Sequence, residues 1–182
     1  KDGIHWSPPK SVLVGDKEKG AAQLLSPAMA LHLNQYYLYT VNYNKKTIQL
    51  RISDDLEGLW SNPIDVPLVN NLPDNITPWH INVVKHQADF EFVIVMKDKK
   101  GLKPNSLHYG RSDDGKCILL YNKPILYPSK TGWDNEIIYQ GSLVPITDSK
   151  SLDSYFLYYS ARGKNKIWNI GRTMIEPNKL VF

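Results

Sequence analysis

A short turn recurs along this chain, and its period restricts the fold more than any single residue does. The words "RISDD" (51–55) and "RSDDG" (111–115) set Ser53 and Ser112 59 positions apart, and Trp6 and Trp60 close two similar turns 54 positions apart. Immediately before the turns lie short runs, "TIQLRIS" (47–53) and "SLHYGRS" (106–112), matched later by "IWNIGRT" (167–173). Each of these follows an aromatic or branched run: "QYYLYTVNY" (35–43), "FEFVIVMK" (90–97) and "YFLYYSAR" (155–162). Earlier still stand "PAMALHL" (27–33), "HINVVKH" (80–86) and "YQGSLVPI" (139–146). Valine, isoleucine, threonine and aromatic residues bounded by Asn, Asp, Gly and Pro read as strands. A fourth strand is expected to end each unit, at "IDVPLV" (64–69), "CILLYNKPIL" (117–126) and "KLVF" (179–182), with "SVLV" (11–14) left over from a preceding unit. The one helix-like passage, "KEKGAAQLL" (17–25), carries a central glycine with a proline soon after, so it is given at most one short turn.

Four antiparallel strands recurring at about 55 to 60 residues, with an Asp-Gly turn between the third and fourth, describe blades of a β-propeller. The fold class expected is therefore all-β, a single propeller region over 1–182 holding a blade remnant at 1–16 and four-stranded blades at about 24–70, 77–127 and 134–182. The turn chemistry is local: Asp accepts backbone N–H bonds, and a following glycine takes positive φ without steric cost. Asp54, Asp55, Asp113 and Asp114 accordingly read as structural, and the tryptophan after a turn is expected to cover the neighbouring sheet.

Composition narrows the function. A chain of 182 residues with 42% hydrophobic and 22% charged residues can bury a core. No apolar run approaches the roughly 18 residues of a membrane helix, so no membrane span is expected. The net charge of +4 comes with lysines scattered among turns, which reads as a solvated surface and puts no nucleic acid among the expected partners. A single cysteine, Cys117, excludes an internal disulfide and a cysteine-built metal site. Phosphate loop, metal-ligand cluster and nucleophile elbow are all missing from the sequence, so the expected cofactors and metals are none. Lys1 opens inside a repeat, and three blades do not close a ring. The remaining blades are expected from the rest of a longer chain or from another chain.

The stretches "SPAMALHLNQYYLYTVNY" and "GWDNEIIYQGSLVPI", the following "YFLYYSARGKNKIWNIGRT" and the "SDDGK" turn resemble the five-bladed β-propeller glycoside hydrolases, the group of arabinanases, xylosidases and invertases. The resemblance runs over nearly the whole chain. It implies that the first strand of each blade lines a central channel, that a funnel at one end holds a saccharide, and that carboxylates at inner-strand starts catalyse hydrolysis. An extracellular or cell-surface location goes with that implication. One carboxylic acid protonates the leaving oxygen while a second carboxylate acts as base or nucleophile. A non-catalytic carbohydrate-binding propeller, such as a surface or phage adhesion module, is the alternative.

The inner-strand starts supply the candidates. Enzymes of this group often carry an acid before the proline of "LLSPAM", where Ser26 stands here, and Trp79 and His80 occupy the corresponding place in "TPWHINV". Only "GWDNEIIYQGS" offers acids, Asp134 and Glu136, which become the catalytic candidates. Each has a bland reading beside it: Glu136 as an exposed edge charge, Asp134 as a turn cap. Trp79, His80, Tyr139, Gln140 and Ser26 are the candidate saccharide contacts, Trp79 because an indole face accepts a sugar's C–H surface. Arg111 and Arg172, on third strands, are expected to pair between blades.

Overall fold

The computed structural model describes residues 6, 8–14, 23–70, 72–73, 75–86, 88–98, 104–146 and 154–180. Strands β1 (Leu25–His32), β2 (Gln35–Asn42), β3 (Thr47–Ser53) and β4 (Ile64–Val66) form one antiparallel sheet in sequential order. β5 (Leu68–Val69) then crosses to the outer edge of a second sheet, made by β6 (Ile76–His86), β7 (Asp89–Asp98), β8 (Pro104–Ser112) and β9 (Ile118–Leu120). A third sheet holds β10 (Ile137–Pro145), β11 (Tyr155–Arg162) and β12 (Trp168–Ile175).

Period-two alternation sends side chains to opposite faces of a strand, and here both faces of the middle sheet are buried. Phe90, Phe92, Ile94 and Met96 of β7 meet Tyr37, Tyr39 and Val41 of β2 in one apolar layer. Val93 and Val95 point the other way, into a layer with Leu107, Tyr109, Ile138, Leu143 and Leu157. That double burial explains why "FEFVIVM" is apolar without alternation. Each fully buried side chain of this size contributes about 1.5–3 kcal/mol relative to exposure. The inner strands β1, β6 and β10 stand side by side, tied by the Ser26 hydroxyl, which accepts the Ile81 N–H at 3.0 Å and donates to the Ile81 carbonyl at 3.2 Å. On the other side the Leu143 N–H donates to Asn82 Oδ1 at 3.1 Å. Sheets fanning from adjacent inner strands are an arc of a propeller.

The repeated turns behave as local chemistry demands. The Ser112 hydroxyl accepts the Gly115 N–H at 2.9 Å and Asp114 accepts the Lys116 N–H at 2.8 Å. In the earlier turn Asp55 accepts the Glu57 N–H at 3.0 Å. Gly115 has φ +75, and a Cβ there would lie 2.4 Å from the Tyr39 hydroxyl, which donates to the Gly115 carbonyl at 2.8 Å. The turn of the second sheet thus docks on the first, and only glycine permits it.

Several expectations are corrected. The segment 11–14 forms no strand. "IDVPLV" is two strands, because Pro67 has no N–H for the ladder: β4 pairs with β3, while β5 runs parallel to β9. "CILLYNKPIL" is a strand only at Ile118–Leu120, after which a single bridge joins Leu126 to Leu107. Lys179 ends the 3-10 turn Pro177–Lys179, so the third sheet has three strands among the described residues, and Val181 and Phe182 lie outside them. Most of the passage 17–25 also lies outside the described residues, and Leu25 begins β1. Trp6 is 85% exposed and covers no sheet. Arg111 pairs with Asp89, and Arg172 lies 4.7 Å from the Phe156 ring, so both contacts stay within one sheet.

At Gly141 the third sheet lies too close to the second for a side chain: a Cβ there would sit 2.7 Å from Leu107 Cδ1 and 2.8 Å from Val93 Cγ1. Gly141→Ala should therefore destabilise the protein by about 1–3 kcal/mol in urea unfolding, whereas exposed Ser142→Ala should change it by less than about 0.5 kcal/mol. Equal stability of Gly141→Ala and the parent would contradict this packing.

Candidate functional site

All three inner strands break register near their beginnings: between Leu25 and Ala28 in β1, between Pro78 and His80 in β6, and between Ile138 and Gln140 in β10. A bulge inserts one residue, bends the strand and re-aims a side chain. Pro27 and Pro78, which lack an N–H, account for two of these interruptions. Ser26, Trp79, His80, Tyr139 and Gln140 all lie at or beside the bulges, so five candidates from separate sheets fall at one end of the inner strands.

The structure brings the rings together. His80 lies edge-on to Tyr139 at 4.5 Å and to Trp79 at 5.5 Å between ring centroids. The row continues to Tyr43 beyond Trp79 at 5.5 Å and to Trp168 beyond Tyr139 at 5.4 Å. Tyr139 and Trp168 are exposed at 38% and 49%. Trp79 Nε1 and His80 Nε2 are buried without a hydrogen-bond partner among the described residues, at the centre of the row. Gln140 is half-buried opposite Ser160. Ser26 differs: its hydroxyl is spent joining β1 to β6. Its φ of 51 belongs to the bulge.

Both candidate acids come from the segment just before β10. The Glu136 side chain is only 9% exposed, so it is not an edge charge. Oε2 accepts from Arg162 Nε at 3.1 Å, and Lys166 Nζ donates to Oε1 at 2.8 Å. Asp134 is 5% exposed and accepts the Tyr159 hydroxyl at 3.2 Å; burial first, and the Asp134 carboxylate second, raise the Tyr159 phenol above its ordinary value. Arg162 also lies 5.5 Å from the Trp168 ring, linking Glu136 to the aromatic row. Sequence reasoning missed Tyr43, Trp168 and Arg162. Each stands at a strand end on the rim where the inner strands begin, and tracing the hairpins by register would have placed them there. Among the described residues, no group of three His, Cys, Asp or Glu side chains is arranged to hold a metal ion. No described helix is long and apolar enough to cross a membrane.

No family model and no curated protein matches the sequence. Solved structures do. An N-acetylgalactosamine deacetylase from F. plautii, in complex with blood group B trisaccharide, superposes with TM-score 0.70 and 24% identity over 95% of this chain and 58% of that one. A β-1,2-mannobiose phosphorylase from Listeria innocua, in complex with its disaccharide, gives 0.66 and 12% over 99% of this chain and 49% of that one. An exo-β-1,3-galactanase from Phanerochaete chrysosporium, with galactose, gives 0.62 and 13% over 92% and 39%. The chain thus spans between 39% and 58% of the length of these neighbours. Identities this low establish the fold alone: the sheets are an arc of a five-bladed β-propeller.

Burial strips water from the imidazoliums of His80 and His108 and pushes both down to about 4 from the usual 6.5. As pH falls, the unfolded chain takes up these protons first, so the stabilising contribution is complete above 6.5 and is lost on the way to 4. The melting temperature should fall between pH 6.5 and 4, and the slope should flatten in the double variant His80→Gln, His108→Gln. A slope identical to the parent's would show that neither imidazole is held neutral.

Proposed function

We propose that this chain is part of a carbohydrate-active propeller, and that the complete protein hydrolyses a glycosidic bond in a polysaccharide or oligosaccharide held at the bulged starts of the inner strands. The observation that carries the reading is the meeting of His80 from one sheet with Tyr139 from the next at 4.5 Å, with Trp79 5.5 Å from His80 on its own sheet. A sugar presents C–H faces and a rim of hydroxyls, and aromatic side chains with polar tips answer both. Tyr139, exposed at 38%, and the half-buried Gln140 amide are the hydroxyl partners at the same end of the strands. The neighbours support a saccharide but not one reaction: deacetylase, phosphorylase and galactanase share this fold. Fold alone does not select chemistry.

Hydrolysis requires two carboxyl groups facing each other across the bond. Glu136 is the carboxylate this arc offers, since its partner Arg162 also lies 5.5 Å from the Trp168 ring of the aromatic row. With both oxygens accepting N–H donors from Arg162 and Lys166, Glu136 presents lone pairs and no proton. It suits the base or nucleophile and not the acid, which the rest of the ring would contribute. No cofactor enters this scheme. A place outside the cell or at its surface fits a polysaccharide substrate.

The test is Glu136→Gln in the complete protein, assayed on β-1,3-galactotriose, β-1,2-mannobiose and a panel of aryl glycosides. Turnover should fall by roughly 10²–10⁴-fold, with saccharide binding by calorimetry little changed. Thermal melting checks that Arg162, deprived of one charge partner, has not undone the fold. Unchanged turnover removes Glu136 from the mechanism, and binding without turnover by the parent protein makes it a binding module.

A further inference from the structure

Lys97, at the end of β7, is a buried cation in an unusual setting. It is 5% exposed, and its ammonium lies 4.2 Å from the centroids of both the Tyr43 and the Trp79 ring. Its ammonium donates to the Tyr43 hydroxyl at 3.1 Å, and among the described residues no carboxylate pairs with it. A buried ammonium without a counter-charge is costly unless something replaces its hydration, and the negative faces of two aromatic rings do so. Tyr43 follows β2 of the first sheet, whereas Lys97 and Trp79 belong to the second. The ammonium therefore joins the sheets at the rim where the inner strands begin.

Trp79 needs such a device. Among the described residues its indole N–H has no hydrogen-bond partner, so no such bond fixes the rotation of the ring. It also sits at the bulge, where the ladder is interrupted. What orients it is the edge of Tyr43, the edge of His80 and the ammonium over its face. We infer that Lys97 is a positioning residue for the saccharide site, holding the Trp79 ring in one orientation by clamping it to Tyr43. The Tyr43 phenol agrees with this geometry, being lowered from its ordinary value chiefly by the hydrogen bond from Lys97. The inference rests on the carbohydrate reading for its consequence but not for its geometry.

The experiment uses the complete protein labelled with 5-fluorotryptophan, with the Trp79 resonance identified by its loss in Trp79→Phe. The parent should show one sharp Trp79 line. Lys97→Met should shift and broaden that line, Lys97→Arg should restore it, and the Tyr43 phenol should titrate higher in Lys97→Met than in the parent. An unmoved Trp79 line in a folded Lys97→Met variant overturns the inference, whatever the sugars do. In parallel, calorimetry with β-1,3-galactotriose and β-1,2-mannobiose should give affinities roughly 10–30-fold weaker for Lys97→Met, with recovery in Lys97→Arg. Equal affinity in parent and Lys97→Met would also overturn it. If the parent binds neither sugar, the carbohydrate reading is what fails, and the fluorine line still decides the role of Lys97. Should Lys97→Met not fold, the line in Lys97→Gln is decisive in its place.

Discussion

Burial of the middle sheet on both faces is the interaction from which the rest follows. A single sheet cannot hide its own apolar surface, and β7 carries that surface on both sides, with Phe90, Phe92, Ile94 and Met96 facing one way and Val93 and Val95 the other. Each face requires a partner sheet, and at Gly141 the third sheet comes close enough to the second to leave no room for a side chain. Stacking of this kind leaves the inner strands next to one another, and polar contacts such as Ser26 with Ile81 and Asn82 with Leu143 fix their relative height. Register between blades, which no local sequence rule sets, is what lets the bulges of β1, β6 and β10 fall at one level.

The same stacking leaves work undone at the third sheet. Its face away from the second sheet carries Val144, Tyr158, Ile170 and Met174, each at least 38% exposed. In the neighbouring structures, of which this chain spans 58% or less, more chain is present beyond the matched region. The apolar row on β10–β12 is of the kind that β2 and β7 bury against each other, so a further blade would find a prepared surface there.

Much of this fold is legible in the sequence, and the illegible parts share a cause. Second and third strands such as Gln35–Asn42 and Thr47–Ser53 read clearly because their apolar content is set by burial on one or both faces. Fourth strands read poorly, since a short outer strand has little apolar pattern to betray it. The parallel pairing of Leu68 with Ile118 could not come from any local rule. The site divides similarly. The placement of Ser26, Trp79, His80, Tyr139 and Gln140 at one end of the inner strands was legible because each stands at a strand start. Tyr43, Lys97, Arg162 and Trp168 were not, since they reach the rim from other strands and meet the site only through register. Glu136 had two readings by sequence, and the ion pairs with Arg162 and Lys166, 26 and 30 residues away, removed the exposed one.

The central claim is that one saccharide is held jointly by residues of two different sheets. Calorimetric titration of the complete protein with β-1,3-galactotriose and β-1,2-mannobiose, comparing Trp79→Ala and Tyr139→Ala with the exposed control Tyr127→Ala, tests it most directly. The account requires both site variants to weaken the same sugar by at least about tenfold, equivalent to about 1.4 kcal/mol, with the control unaffected. Binding indifferent to either Trp79 or Tyr139 would contradict it.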